Sequence, residues 1–187
     1  MKKLLILAIL LLTIVGCQKE KYLEYQKPTG VIADMSGYQG LISEQFYDIT
    51  VDEILKKIEN RETFIVYFGY EDCPWCNCVV PILHEVSIEK DMPVYYMDFN
   101  NSVNKENVSG MKQISELCGN DQQGLKEGQF AFFFPTVLYI KQGEVYKVHV
   151  GTVSGHNGFV DPLTEKQKER LAYQYNKEFE GLLVLEN

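Results

Sequence analysis

A Cys-Pro-Trp-Cys motif at residues 73–76 carries the side chains of this chain best suited to covalent chemistry. An apolar, strand-like run at 64–68 precedes it, and a helix-like stretch at 76–88 follows it. A strand, a short turn and a helix would place Cys73 at a helix N-terminus, where free backbone N–H groups and the helix dipole stabilise a thiolate. We therefore predict Cys73 as the attacking thiol and Cys76, one turn further in and less exposed, as the resolving thiol.

Other uses of the cysteines have to be weighed against this redox pair. The chain has five cysteines and three histidines, but no second Cys-x-x-Cys and no histidine pair at ligand spacing, which argues against a zinc site. Cys78 follows Cys76 by two residues, about 200° around a helix, so these two thiols cannot easily pair. Cys78 is either a small buried hydrophobe or half of a structural disulfide with Cys118. A Cu(I) or other soft-metal site made of Cys73, Cys76 and Cys78 is a further alternative, and our prediction is that no metal is bound.

The N-terminus has the layout of a secretory signal. Two lysines precede an apolar run at residues 4–15, which is too short to span a membrane comfortably, and Gly16 stands before Cys17. The sequence Ile-Val-Gly-Cys at 14–17 resembles the lipobox of bacterial lipoproteins, in which the cysteine is lipidated and becomes the first mature residue. A plain signal peptide is the alternative. We expect residues 1–16 to be removed and Cys17 to hold the protein at the extracytoplasmic face of the cell membrane, where disulfides persist.

The charge of the chain limits its partners. Removal of residues 1–16 takes away two lysines and changes the formal net charge from −8 to −10. Such an acidic surface argues against nucleic acid as a partner, and membrane contact should come from the lipid. We expect a tether at 17–44 with one short element near 31–35, and a single, monomeric domain at 45–187.

The apolar pattern predicts an α/β domain. From the strand before the motif onward, the order is βαβαββα, with segments at 64–68, 76–88, 93–99, 108–117, 130–140 (interrupted by Pro135), 144–150 and a last helix from Thr164. An edge strand at 45–49 and a helix with a Thr50–Glu53 capping box come first. We expect loops at 100–107 and 119–129. Pro81 stands inside the motif helix and should kink it.

Over residues 45–180 the chain resembles the thioredoxin family. Besides the motif at the top of a βαβ unit, Pro81 lies five residues after the second cysteine, Pro135 stands where the family has its cis-proline, and Gly151 follows at the family's interval. Residues 134–145 read almost residue for residue like a thioredoxin end hairpin. The resemblance implies a thioredoxin fold, a central mixed sheet flanked by helices, with an enlarged segment before the cis-proline strand.

The resemblance also implies a function. It implies a thiol–disulfide oxidoreductase that needs no dissociable cofactor and acts on protein or peptide thiols and disulfides, with an electron partner that the sequence does not identify. Aromatic side chains beside the cysteines offer a surface to an extended substrate. A cis-proline would hold the backbone so that the substrate pairs with it as an added strand. The expected substrate-binding residues are Tyr70, Trp75, Phe134, Pro135 and Thr136.

The chain departs from thioredoxins near the motif. Where that family has a buried carboxylate and a lysine partner, this chain has Tyr67 and Val94. Glu71 and Asp72 directly precede Cys73, and carboxylates so near a thiol raise its pKa. The lipobox, the Cys-Pro-Trp-Cys motif and the enlarged segment between Asp98 and Phe130 also resemble bacteriocin transport accessory lipoproteins of Gram-positive bacteria. A non-catalytic docking protein for peptide export is therefore the alternative function.

Overall fold

The computed structural model describes residues 21–185. Signal peptide 1–16 and the lipidation site Cys17, both predictions, lie outside this range. The helices are α1 (Val51–Glu59), α2 (Pro74–Glu89), α3 (Ser102–Glu106), α4 (Val108–Leu117) and α5 (Glu165–Leu183). The strands are β1 (Lys21–Tyr22), β2 (Phe46–Asp48), β3 (Phe64–Gly69), β4 (Val94–Asp98), β5 (Thr136–Lys141), β6 (Glu144–Val150) and β7 (Val184–Leu185).

Five of these strands form one mixed sheet in the order β2-β4-β3-β5-β6. The first three run parallel, and β5 and β6 are added as antiparallel strands. Helix α1 connects β2 to β3, α2 connects β3 to its parallel neighbour β4, and a tight hairpin joins β5 to β6. The predicted α/β class and thioredoxin fold are thereby confirmed, including the edge position of the first sheet strand.

Both faces of the sheet are covered, which explains why every residue of β3 is buried. Ile65 and Tyr67 face the core that α2 and α5 cover, and Val66 and Phe68 face the core under α1 and α4. The alternation follows from the two-residue period of a strand. The end of β3 is therefore a rigid base for whatever follows it, and the motif follows it.

Helix α2 begins at the motif and continues through Pro81. A proline has no N–H to donate to the carbonyl four residues earlier, which here is that of Asn77. The side-chain amide of Gln39 donates to this carbonyl at 3.2 Å. An N-terminal residue thus satisfies the acceptor that the internal proline leaves free.

The hairpin between β5 and β6 turns at Gln142 and Gly143, whose φ values are 52° and 81°. Gly143 donates its N–H to the Glu62 carbonyl at 2.9 Å. A Cβ at position 143 would stand 2.5 Å from the carbonyl oxygen of Ile58. Only glycine fits this turn, because both the φ value and the neighbouring backbone exclude a side chain.

The structure differs from the sequence prediction most clearly at residues 21–44. This segment was expected to be a tether, but it packs on the domain: Ala33, Met35 and Tyr38 are buried, and Ile32 bridges to Tyr47 of β2. Strand β1 pairs with β7 at the other end of the chain. The apolar residues of this segment contact the domain at separate points. Their spacing therefore follows neither the helix period nor the strand period.

Two smaller differences lie in the enlarged segment. The expected loop at 100–107 contains α3, which Asn101 caps by accepting from the Val103 N–H at 3.0 Å. Residues 130–134 are not a strand, because the chain pairs with β3 only from Thr136 onward. Within residues 21–185, no helix combines the length and the apolar character needed to cross a membrane.

Candidate functional site

Cys73 and Cys76 form a disulfide at the N-terminus of α2, with their Cα atoms 5.1 Å apart. Cys73 is the N-cap residue, and its Sγ accepts the backbone N–H of Cys76 at 3.1 Å. Such an N–H and the positive end of the helix dipole stabilise negative charge on this sulfur when the pair is reduced. The placement that the sequence predicts for the two thiols is thus present.

The exposure of Cys73 differs from the expectation. Cys73 was expected to be more exposed than Cys76, but Cys73 is only 2% exposed and Cys76 is fully buried. Both belong to the core between the sheet and α2. A reacting sulfur of a partner therefore needs a movement of the residues around the motif before it can reach Cys73.

Asn77 fixes the turn that leads into the motif. Its side-chain amide donates to the carbonyls of Glu71, at 2.6 Å, and of Cys73, at 3.2 Å. The two bonds hold the end of the turn against the first turn of α2. Sequence reasoning did not single out Asn77 as a site residue, because an asparagine inside a helix carries no signal of its own.

The carboxylates before the motif are both exposed. The side chain of Glu71 lies against Gly37 so closely that a Cβ there would overlap it. The N-terminal segment therefore packs on the turn before Cys73 as well as on α2.

The position where thioredoxins carry a buried acid holds Tyr67, in a cluster of three tyrosines. Tyr67 stacks on Tyr96 with ring centroids 5.6 Å apart, and the hydroxyls of Tyr96 and Tyr38 are 3.0 Å apart. Burial raises the pKa of Tyr38 to about 12 and holds that of Tyr67 well above its usual value. These phenols stay neutral at physiological pH, so this chain has no ionised group at that position.

Pro135 lies beside the motif end of the sheet. Thr136 pairs with Phe68, which places Pro135 next to the end of β3, and the Phe134–Pro135 peptide bond is cis as the resemblance implies. The Pro135 carbonyl accepts the Gly151 N–H at 2.8 Å. The backbone of Phe134 makes no hydrogen bond within residues 21–185, which leaves its N–H and C=O for an added strand.

Tyr70 and Thr136 are two further residues that were expected to bind substrate. Tyr70 packs on Phe134, with ring centroids 5.4 Å apart, and Phe99 continues this aromatic surface at 4.6 Å from Phe134. The Thr136 side chain is buried and donates to the Phe133 carbonyl at 2.7 Å, so it presents nothing to a substrate.

Trp75 packs instead on Phe159, from the loop between β6 and α5, with ring centroids 4.1 Å apart. Sequence reasoning missed Phe159. The only available signal was the length of the segment between the hairpin and the last helix.

The two other described cysteines are free, so the alternative of a Cys78–Cys118 disulfide is wrong. They lie on opposite faces of the sheet, Cys78 against the core under α2 and α5 and Cys118 in the core under α1 and α4. Burial raises the pKa of Cys78 and raises that of Cys118 to about 12. In the described part of the chain, no group of three or more His, Cys, Asp or Glu side chains is placed to hold a metal ion.

No family model matches this chain. Among solved structures it is similar to thioredoxin from Aeropyrum pernix, with 19% identity over 66% of this chain and 82% of that one and a TM-score of 0.41. It is also similar to thioredoxin O1 from Arabidopsis thaliana, with 16% identity over 69% and 96% of the two chains and a TM-score of 0.42. Thioredoxin f2 of Chlamydomonas reinhardtii gives 18% identity over 56% and 82%, with a TM-score of 0.38. The thioredoxin fold of this chain is therefore assigned from its own strand order and connections.

Proposed function

We propose that this protein is a thiol–disulfide oxidoreductase that acts through Cys73 and Cys76. The observation that carries the proposal is the disulfide between these two residues at the N-terminus of α2, with the cis-proline loop beside it. When this disulfide is reduced, the helix N-terminus stabilises the thiolate form of Cys73. Reversible thiol–disulfide exchange requires such a thiolate, because the thiolate is the attacking species.

The reaction is an exchange of one disulfide for another. In the reducing direction, the Cys73 thiolate attacks a substrate sulfur, the substrate S–S bond breaks, and the leaving sulfur takes the electron pair and a proton. The Cys76 thiol then loses its proton and attacks Cys73 Sγ, which releases the second substrate thiol and restores the protein disulfide. The substrate gains two electrons and two protons, and the dithiol loses them. In the oxidising direction the same steps run backwards.

Substrate binding follows from the backbone beside Pro135. The N–H and C=O of Phe134 have no partner within residues 21–185, so an extended polypeptide can pair with them as a short added strand. The aromatic side chains of Tyr70 and Phe99 flank Phe134 and supply apolar contact. Protein or peptide disulfides are therefore the proposed substrates.

The proposed location is the extracytoplasmic face of the cell membrane, with Cys17 lipidated and residues 1–16 removed. The lipobox-like sequence at 14–17 supports this location, and the Cys73–Cys76 disulfide is compatible with it, because disulfides persist outside the cytoplasm. The resemblance to bacteriocin transport accessory lipoproteins suggests exported peptides as one class of substrate. The proposed domain acts as a monomer and exchanges electrons with a separate redox partner.

Trapping of substrate tests the function and the roles of the two cysteines. A Cys76→Ser variant keeps the attacking thiol and loses the resolving step, so it should accumulate a mixed disulfide with a disulfide-bonded peptide. Cys73→Ser should trap little, and Cys118→Ser, which changes a buried thiol away from the motif, should behave like the unmodified protein. The measurement is the mass of the adduct under non-reducing conditions.

Two results would contradict the proposal. Equal trapping by Cys73→Ser and Cys76→Ser would show that the assigned roles are wrong. Absence of any exchange, in the unmodified protein as well as in both variants, would favour the non-catalytic docking function.

A further inference from the structure

The loop between β6 and α5 is attached to the domain at two buried residues. Val153 and Leu163 pack into the core under α2 and α5. Between them, residues 154–162 contain no buried side chain. We call residues 154–162 the loop tip.

Hydrogen bonds within the loop make the tip a compact unit. His156 Nε2 donates to the Asp161 carbonyl at 2.9 Å, which leaves Nδ1 to accept the Thr152 hydroxyl at 2.8 Å. Asn157 accepts the backbone N–H groups of Val160 and Asp161 at its carbonyl and that of Phe159 at its side chain. The bonds to Asp161 and Asn157 lie within the tip, so it can move as one body and keep them, while the bonds of His156 to the Thr152 hydroxyl and the Val153 carbonyl connect it to the base of the loop.

The tip rests on the redox motif at Trp75. The ring of Phe159 meets the ring of Trp75 edge to face. The backbone of Gly158 is so close that a Cβ there would stand 2.8 Å from Trp75 Cγ. Phe159 itself is 71% exposed, so little besides this ring contact holds it down. Such a contact can be exchanged for a similar one with another apolar side chain.

The position of the loop connects this contact to substrate binding. The loop leaves β6 at Gly151, whose N–H is bonded to the Pro135 carbonyl. A polypeptide paired with the free backbone of Phe134 would therefore run beside the base of the loop. Cys73 is 2% exposed and lies two residues before Trp75, so a sulfur atom can reach it only after residues around the motif move.

We propose that the loop tip is a gate over the redox motif, opened when an aromatic or large aliphatic side chain of a substrate polypeptide replaces Phe159 on Trp75. The proposal rests on the proposed function and adds a substrate class to it, namely polypeptides with such a side chain next to the reacting disulfide. Phe159 acts on access and takes no part in the chemical steps.

Reduction of the isolated protein by dithiothreitol measures the gate without any polypeptide substrate. One thiolate of the reagent attacks Cys73 Sγ, the S–S bond breaks, and Cys76 takes the electron pair and a proton. The second thiol of the reagent then loses its proton and closes the reagent's own disulfide, which leaves Cys73 reduced. Trp75 is the single tryptophan of the chain, so its fluorescence reports the reaction.

Two variants should open the gate. Phe159→Ala removes the ring contact, and Gly158→Ala places a methyl group where Trp75 stands. Each should speed reduction about two- to tenfold, the range that one aromatic contact supplies. Val160→Ala is the matched control, because Val160 is an exposed neighbour in the same tip, at 69%. Rates in both variants equal to or below that of the control would overturn the gate.

A pair of synthetic peptides tests the substrate class. They share one disulfide, which is flanked by Phe in one peptide and by Ser in the other. The unmodified protein should exchange faster with the Phe peptide, and Phe159→Ala should raise both rates by a similar factor. Equal rates for the two peptides, or a loss of rate with the Phe peptide in Phe159→Ala, would overturn the proposal. If dithiothreitol reduces the unmodified protein but neither peptide exchanges with it, the proposed function is wrong. The dithiothreitol reduction rates of the variants then decide by themselves whether the loop tip acts as a gate.

Discussion

Native-state alkylation of Cys118 tests quantitatively how strongly burial lowers the reactivity of a thiol in this protein. Burial raises the pKa of this thiol to about 12. At pH 8 such a thiol is ionised in about one molecule in 10,000, whereas an unfolded cysteine with a pKa of about 8.5 is ionised in about one in four. Because the thiolate is the form that reacts, Cys118 should be alkylated at least about a thousand times more slowly in the native protein than in the unfolded one.

The assay is iodoacetamide labelling of the reduced protein at pH 8, followed by peptide mass spectrometry, with the protein in guanidinium chloride as the reference. Cys73 should be labelled first, because the helix N-terminus stabilises its thiolate. Labelling of Cys118 within about tenfold of its unfolded rate, or before Cys73, would show that the burial argument or the assignment of the attacking thiol is wrong.

Cys118 also predicts a pH dependence of stability. Between about pH 8.5 and pH 12, the unfolded state holds fewer protons at this thiol than the native state, so the free energy of unfolding falls as the pH rises. Urea unfolding across this window should show a smaller fall in Cys118→Ala. An equal fall in both proteins would contradict the linkage.

Three further changes have expected outcomes. Gly143→Ala should lower the free energy of unfolding in urea by about 2–4 kcal/mol, because it adds a backbone clash to a left-handed φ, whereas Gly119→Ala, with a φ of 78° and open space, should cost only about 1–2 kcal/mol. Similar losses in the two would contradict the clash. Replacement of Glu71 by Gln together with Asp72 by Asn should speed alkylation of the attacking thiol about two- to tenfold at neutral pH, since two exposed negative charges near the thiolate are removed. An unchanged rate would show that these charges do not act on it. Cys17→Ala should leave the protein unprocessed or free of the membrane fraction, and retention of a correctly cleaved, unlipidated form would contradict the lipid anchor.

The sequence predicted the elements that have a period or a cap. The capping box of Thr50 and Glu53 begins α1, and that of Thr164 and Gln167 begins α5. The Cys-x-x-Cys motif follows strand β3 and begins helix α2, and the hairpin turns at Gln142 and Gly143. Each of these features depends on residues close in the chain, so local rules suffice.

The misses depend on contacts between distant residues. Tyr38 is buried because it meets Tyr67 and Tyr96, which lie far along the chain, and its own neighbours carry no period. The burial of Cys73 and the contact of Phe159 with Trp75 likewise arise only when separate segments pack together. When a loop contains no sequence motif, its sequence does not indicate which element it packs against.

The pairing of β1 with β7 determines which way the domain faces if Cys17 carries a lipid. Lys141, at the opposite end of β5 from Pro135, donates to the Gly181 carbonyl near the end of α5, so β1 lies at the end of the sheet farthest from the redox motif. Four peptide steps separate Cys17 from Lys21, and even fully extended they reach only about 15 Å. So short a segment would hold the β1 end close to the bilayer and turn Cys73 away from it. The disulfides that Cys73 could then reach would be those that approach from the cell exterior.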